Sequence, residues 1–334
     1  MLVMNRVHVL LKILLFAALL SRALTANAQQ GPTASGEPVF RINVQLVQLD
    51  VQVLQKKTGR PVGSVKKEDF QLYEDGVQQR IADVSRDQLP LSVVLLFDLT
   101  ETVQPVLKPL AAGALQALEH LKAEDEVAVM VYSSTAELLQ DFTTDRGKVV
   151  AAIEKASEMH SGEAAYFNEA IFAASQQLKK ATNPRSRRTI IWFTDNVPNI
   201  PSAKQHSEKD AFRAVLETGT TVFTLLERSG LSDFFMVSFS KNPVFAPFRM
   251  HDPPGDVHKY AERTAGEVMK SSKEEVSAKL AQMIDEIRTR YTIAYYPSAR
   301  QAAGTFCKIR IEVRLQAEKR EGKMTVRAKT GYYR

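Results

Sequence analysis

Cysteine is nearly absent from this chain, since Cys307 is the only one among 334 residues. One cysteine excludes an intramolecular disulfide. A chain of this length can instead be stabilised by a sizeable hydrophobic core, in one large domain or two. We expect Cys307 to be a buried strand residue, and the alternative is an intermolecular disulfide.

The chain also lacks the local motifs of common enzyme classes. It contains no G-x-S-x-G, no G-x-G-x-x-G and no phosphate-binding G-K-[ST] loop. The six histidines do not occur at metal-ligand spacing. His251 and His258 lie in one loop region, and we expect both to be surface residues. The sequence therefore predicts a protein that is not an enzyme, with a metal-dependent hydrolase as the less favoured alternative.

Positive charge is in small excess. The formal net charge is +6, and Arg6, Lys12 and Arg22 precede the first acidic residue, Glu37. Without residues 1–28 the balance falls to +3. That excess is too small to indicate a nucleic-acid partner.

The N-terminus carries an apolar run that has a basic residue before it and small residues after it. Arg6 precedes an apolar run over 7–20, and 26–28 read Ala-Asn-Ala. This layout predicts a secretory signal peptide over 1–28, because the run is short for a membrane span. A polar, flexible leader follows over 29–38. We expect a secreted or periplasmic protein with no stable membrane anchor after cleavage.

The middle of the chain alternates buried strands with amphipathic helices. This pattern predicts an α/β fold with a doubly wound, mostly parallel sheet over 91–290. The apolar runs that indicate strands are 93–97, 127–132, 189–193 and 221–226. The helical patterns cover 103–121, 148–158, 167–180, 204–217, 257–263 and 274–290.

Strand patterns without helices flank that block at both ends. Alternating apolar and polar residues occur within 39–90, and again at 291–296, 308–315 and 325–328. Neither flank can bury a core by itself. We therefore predict that 39–90 and 291–334 form one β-sandwich, into which the α/β domain is inserted.

Two of the buried runs end in aspartate. Asp98 and Asp195 should meet at the carboxyl edge of the sheet, where open α/β sheets bind ligands. Thr100 and Thr102 add hydroxyls, so the site offers only oxygen ligands, which suit Mg²⁺ or another divalent cation. The alternative is that each aspartate merely caps a turn, and that Thr100 or Thr102 caps the following helix.

These residues resemble the von Willebrand factor A family. Asp98-x-Thr100-x-Thr102 is similar to its D-x-S-x-S metal-site element, and Thr194-Asp195 is similar to the later aspartate. Ala165 stands where the family carries a coordinating threonine. The resemblance implies a metal-ion-dependent adhesion site that is impaired.

Further segments resemble the subgroup of this family that is named for acidobacteria. They are 68–79 near the N-terminus, and 291–297 and 326–333 near the C-terminus. Together with the α/β block they cover nearly the whole chain after the leader.

The family resemblance implies an exported binding or adhesion module with a protein partner. A scaffold that works without metal is the alternative. A phenylalanine-rich stretch over 234–248 is either a partner surface or a small satellite core.

Overall fold

The computed structural model describes residues 46–86, 89–101, 103–159, 165–196, 205–227, 256–299 and 301–334. The predicted signal peptide and leader, the phenylalanine-rich stretch, Thr102 and His251 lie outside these residues. The described part contains a six-stranded sheet and two four-stranded sheets.

In chain order the strands are β1 (Val47–Gln55), β2 (Phe70–Glu74), β3 (Val77–Gln79), β4 (Ile81–Ser85), β5 (Leu91–Asp98), β6 (Glu126–Tyr132), β7 (Ala136–Thr143), β8 (Arg187–Thr194), β9 (Thr221–Glu227), β10 (Val268–Ser271), β11 (Tyr291–Tyr295), β12 (Phe306–Val313), β13 (Met324–Ala328) and β14 (Gly331–Tyr333). The α-helices are α1 (Gln104–Leu118), α2 (Arg146–Glu158), α3 (Phe167–Leu178), α4 (Glu208–Glu217), α5 (Val257–Thr264), α6 (Val276–Arg288) and α7 (Leu315–Glu321).

The six-stranded sheet has the order β10-β9-β8-β5-β6-β7, and all of its pairs except β6–β7 are parallel. Every residue of the central strand β5 is buried. Val93 and Leu95 pack on one face with α1, α2 and α6, whereas Val94 and Leu96 pack on the other with α3, α4 and α5. The predicted doubly wound fold is thus confirmed. The pattern predicted it because a strand that is covered on both faces needs a continuous apolar run.

The two smaller sheets have the orders β13-β1-β11-β4 and β14-β12-β2-β3. Strands from before the α/β block pair with strands from after it, as β1 does with β11 and β2 with β12. Val51, Leu72, Ile293 and Ile311 belong to one apolar cluster that both sheets share. The six-stranded domain is therefore inserted in a β-sandwich that the two flanks build together.

Arg187, the first residue of β8, links the inserted domain to the sandwich. Its guanidinium donates to the backbone oxygens of Ile287 and Arg290 and to the hydroxyl of Thr292, each at 3.0 Å. Its Nε lies 3.1 Å from Oδ1 of Asp50, an ion pair in which the N–H does not point at the oxygen.

Two local predictions were incomplete. Strand β7 was not predicted, because it lies at the sheet edge, where the exposed Glu137 and Asp141 interrupt the apolar pattern. The strand predicted over 308–315 ends at Val313, and Leu315 begins α7 instead. Val313 pairs with Phe70, the first residue of β2, so the chain beyond it has no strand partner there.

Cys307 lies in β12 and is fully buried, which confirms its predicted place in a strand. His258 is exposed, as expected. No helix among the described residues has the length and apolar character needed to cross a bilayer.

Candidate functional site

Three neighbouring parallel strands end at one edge of the large sheet with polar side chains. Asp98 is the last residue of β5, Tyr132 of β6 and Thr194 of β8. Asp98 pairs in register with Tyr132, and Phe97 pairs with Phe193. Parallel register therefore brings the three polar ends together at the place where ligands bind in doubly wound sheets.

The Asp98 carboxyl group accepts four hydrogen bonds. Its Oδ1 accepts from the backbone N–H and the hydroxyl of Thr100, at 3.0 and 2.8 Å. Its Oδ2 accepts from the hydroxyls of Tyr132 and Thr194, both at 2.9 Å. A carboxylate has about four acceptor positions, so these donors fill them. The side chain of Asp98 is fully buried.

The Tyr132 hydroxyl also accepts a hydrogen bond. The indole N–H of Trp192 donates to the Tyr132 hydroxyl at 2.8 Å. Burial, and next the charge of Asp98, raise the pKa of Tyr132 well above its ordinary value. The phenol therefore keeps its proton and acts as a donor to Asp98.

Asp195 follows β8 directly and is almost fully buried. The chain turns at once, because Asn196 has a φ of 56°, in the left-handed region that asparagine tolerates. The amide N–H of Asn196 donates to the Thr194 hydroxyl at 3.2 Å, and its side-chain oxygen accepts from Val257 N at 3.3 Å. These bonds fix the turn that carries Asp195.

The two aspartates interact electrostatically. Burial and then the nearby Asp195 charge raise the pKa of Asp98 from 3.8 to about 6, although hydrogen bonds from Thr100 and Thr194 lower it. Among the described residues, no lysine or arginine is a main cause of this pKa shift. Negative charge at this edge is therefore compensated by dipoles and hydrogen bonds rather than by an ion pair with Asp98.

Thr100 does not cap the following helix. The N-cap position of α1 is Val103, which makes no side-chain cap bond, and the Thr100 hydroxyl donates to Asp98 instead. The capping alternative is wrong for Thr100, although Asp98 does accept from Thr100 N in the turn.

The residues present fit a cation only in part. Because four donors fill Asp98, it suits an outer role in which it supplies charge and orients hydroxyls. A hydroxyl that donates to a carboxylate can also offer its oxygen to a hard cation, so Thr100 and Asp195 are the described residues that could contact one. Ala165 is buried near the same edge, where Tyr166 N donates to Ser133 O at 2.8 Å, and its methyl group cannot coordinate. Thr102, 160–164 and 197–204 lie outside the described residues.

Local sequence patterns did not predict that Tyr132 and Thr194 donate to Asp98, or that Trp192 donates to Tyr132. The signal was available for Tyr132, because it ends a buried run in the strand next to β5. The position of Tyr132 matters only because β6 lies next to β5, and a local sequence pattern does not specify the order of the strands.

A family model matches part of the chain. Residues 93–197 match the family model described as the von Willebrand factor type A domain. No curated protein matches the chain.

Three solved structures illustrate what the chain is similar to. The conserved hypothetical protein BatB from Bacteroides thetaiotaomicron is 16% identical over 59% of this chain and 98% of that one, with a TM-score of 0.42. A von Willebrand factor type A protein from Catenulispora acidiphila is 11% identical over 82% and 71%, with a TM-score of 0.43. The vWF domain of the type V pili tip protein Mfa5 from Porphyromonas gingivalis is 11% identical over 60% and 96%, with a TM-score of 0.42.

The matched family segment begins within β5 and takes in Asp98, β6, β8 and Asp195. It therefore includes the strands that build the polar edge described above. The chain contains a von Willebrand factor type A domain, which the family match places at residues 93–197.

Proposed function

We propose that this chain is an exported, non-catalytic protein-binding module. Its binding face is the carboxyl edge of the six-stranded sheet, around Asp98, Thr100, Thr102 and Asp195. A divalent cation such as Mg²⁺ binds there weakly and helps to hold an acidic group of the partner.

The observation that carries this proposal is the repulsion between two buried carboxyl groups. Burial and then the charge of Asp195 raise the pKa of Asp98 to about 6, so ionised Asp98 at neutral pH faces Asp195 in a poorly solvated place. A cation at the same edge would relieve that repulsion. Oxygen donors are the ligands that Mg²⁺ prefers, and its remaining positions can be filled by water or by a partner carboxylate.

Two features support weak rather than tight cation binding. The donors from Thr100, Tyr132 and Thr194 occupy the oxygens of Asp98. Ala165 supplies no oxygen where the family pattern has a threonine. Fewer direct protein ligands mean that a cation keeps more of its waters and is exchanged more easily.

The same geometry supports a non-catalytic role. A general base must reach the proton that it removes. Asp98 is fully buried and already accepts four hydrogen bonds, so it is poorly placed to take a proton from a substrate. The signal peptide predicted over 1–28 supports export.

Calorimetric titration with Mg²⁺ and Mn²⁺ tests the cation site. We expect weak, saturable heat with the wild type and its loss with Asp195→Asn. Asp83→Asn is the matched control, because Asp83 is an exposed carboxylate on β4, in the sandwich. Equal heats from all three proteins, or no heat from the wild type, would remove the cation from the mechanism.

A second candidate is a scaffold that binds its partner without metal. The filled acceptor positions of Asp98 and the methyl group of Ala165 favour it. Pull-down from the native envelope fraction, with and without EDTA, separates the two candidates. A partner that is lost with chelator supports the cation-dependent module, and one that is retained supports the scaffold.

A further inference from the structure

A separate cleft lies where the inserted domain meets the C-terminal strands. It encloses about 670 Å³ and is lined by residues of α4, α5, β12 and β14 and by Ser207 and Thr330 next to them. None of its lining residues belongs to the polar edge around Asp98.

The floor of the cleft is apolar and aromatic. Phe212 and Leu216 line it from α4, and Phe306 and Tyr333 line it from β12 and β14. Phe306 is 40% exposed, which is unusual for a phenylalanine in a strand. Its ring lies across Gly331, where a Cβ atom would come within 2.3 Å of the ring. The glycine thus lets an aromatic side chain lie flat along the cleft.

The rim of the cleft is cationic. Lys209, Arg263 and Lys308 line it and are exposed. None of the three forms an ion pair with another described residue. Glu208 also lines the cleft, but its carboxylate already pairs with Lys259 at 3.0 Å. The rim therefore presents positive charge that the described residues do not neutralise.

One of these cations is held in place by the floor. The Arg263 guanidinium carbon lies 4.6 Å from the centre of the Phe212 ring, a cation–π contact. The backbone oxygen of Arg263 also accepts from Thr330 N at 3.0 Å, which ties the end of α5 to the C-terminal strands. A stacked guanidinium loses less side-chain freedom when it binds a carboxylate in bidentate fashion.

We propose that this cleft binds an extended acidic segment of a partner protein that carries an aromatic or large aliphatic side chain. The apolar side chain lies on the floor beside Phe306, and the carboxylates on either side meet Arg263 and the two lysines. This site does not depend on the cation site, so either can fail without the other.

Charge and shape favour this occupant over two others. Nucleic acid needs a cationic track that follows many phosphates, whereas three cations here surround a closed apolar floor. A second copy of the chain in a two-fold dimer would bring the same cationic rim against itself, which is repulsive.

A direct test uses two labelled peptides and fluorescence anisotropy in EDTA. The acidic probe is Asp-Glu-Asp-Phe-Asp-Glu-Leu, and the basic probe has lysine at every acidic position. We expect the full chain to bind the acidic probe and not the basic one, with affinity that falls as salt is added.

Charge reversal locates the binding. The triple variant Lys209→Glu, Arg263→Glu, Lys308→Glu should weaken binding of the acidic probe by about tenfold or more. The control Lys57→Glu, Lys155→Glu, Lys319→Glu makes the same change in net charge at exposed positions elsewhere and should bind like the wild type. If the triple cleft variant does not fold, the three single reversals decide, and each should weaken binding severalfold.

Several outcomes would overturn the proposal. They are equal binding of both probes, no binding of the acidic probe, or reversal variants that bind like the wild type. Displacement of the probe by a single-stranded oligonucleotide at equal concentration would assign the cleft to nucleic acid instead. Sedimentation that shows self-association abolished by the cleft reversals would assign it to a second copy.

Discussion

The hydroxyl of Tyr132 donates a 2.9 Å hydrogen bond to Oδ2 of Asp98, from the end of one buried strand to the end of its neighbour. This bond occupies an acceptor position that a directly bound cation would need. It also places a phenol between the indole N–H of Trp192 and the carboxyl group. The sheet edge is thus organised by a chain of hydrogen bonds that begins behind the site.

Tyr132→Phe should therefore destabilise the fold. It leaves the Trp192 N–H without this acceptor and removes one donor from Asp98, so we expect a loss of about 1–3 kcal/mol in the free energy of unfolding. Urea denaturation followed by the fluorescence of Trp192, the single tryptophan, measures this. Tyr296→Phe is the control, because Tyr296 is half exposed and should change stability by less than about 0.5 kcal/mol. Equal stability of both variants would show that the buried bond contributes little.

Asp98 should make stability fall as pH rises through the acidic range. Its pKa in the folded protein is about 6, above the ordinary 3.8, so folding favours the protonated form. The contribution of protonated Asp98 to the free energy of unfolding is fully present below pH 4 and is lost by the time the pH exceeds 6. It amounts to about 3 kcal/mol at most. The free energy of unfolding of the wild type minus that of Asp98→Asn, measured in EDTA from pH 4 to 7, should decrease by that order. A difference that rises over this range would contradict the prediction.

Lys329 should give the opposite trend in the alkaline range. Burial first, together with Arg290, Arg188 and Arg187, lowers its pKa from 10.5 to about 8, although Asp50 raises it. Below pH 8 the folded state bears the full cost of the buried charge, and this cost disappears as pH rises to 10.5.

The wild type should thus gain about 3 kcal/mol relative to Lys329→Met between pH 7 and 10.5. Chemical denaturation of both proteins at several pH values checks this. A constant difference would mean that Lys329 keeps an ordinary pKa. Lys329→Met also removes the donor to Gly219 O, but that loss does not by itself change with pH.

Gly266→Ala should be strongly destabilising. A Cβ there would lie 1.7 Å from the backbone oxygen of Val222, which cannot move without disturbing β9. We expect a loss of about 1–3 kcal/mol or more. Gly63→Ala is the control, because its new methyl group would meet only the flexible end of Arg86. Thermal melts of the two variants compare a clash with rigid backbone to a clash with a flexible side chain. Equal melting temperatures would contradict the prediction.

Local patterns were sufficient for most of the large sheet. The run ending at Asp98 was predicted as a fully buried strand, and every residue of β5 is buried. Such runs are readable because a strand covered on both faces tolerates few polar residues. Edge strand β7 was missed for the converse reason, since Glu137 and Asp141 are exposed there and interrupt the apolar signal.

Two residues of the polar edge could be predicted from the same apolar runs. Asp98 and Asp195 stand out because each follows an apolar run. Tyr132 does not, because an aromatic residue at the end of a buried strand is ordinary and its hydroxyl gains a role only from its neighbour. The assignment to the acidobacterial subgroup stays a prediction, as do the domain limits 39–90, 91–290 and 291–334.

The sequence by itself determined the alternation of strands and helices, the buried character of β5, β6 and β8, and the presence of acidic residues after two of them. These follow from hydrophobic periodicity, which is a property of neighbouring residues. Only the tertiary structure decided that Tyr132 and Thr194 donate to Asp98, and that Phe212 and Phe306 line the same cleft. Those contacts join residues far apart in the chain, and their distances depend on strand order and register, which no local pattern specifies.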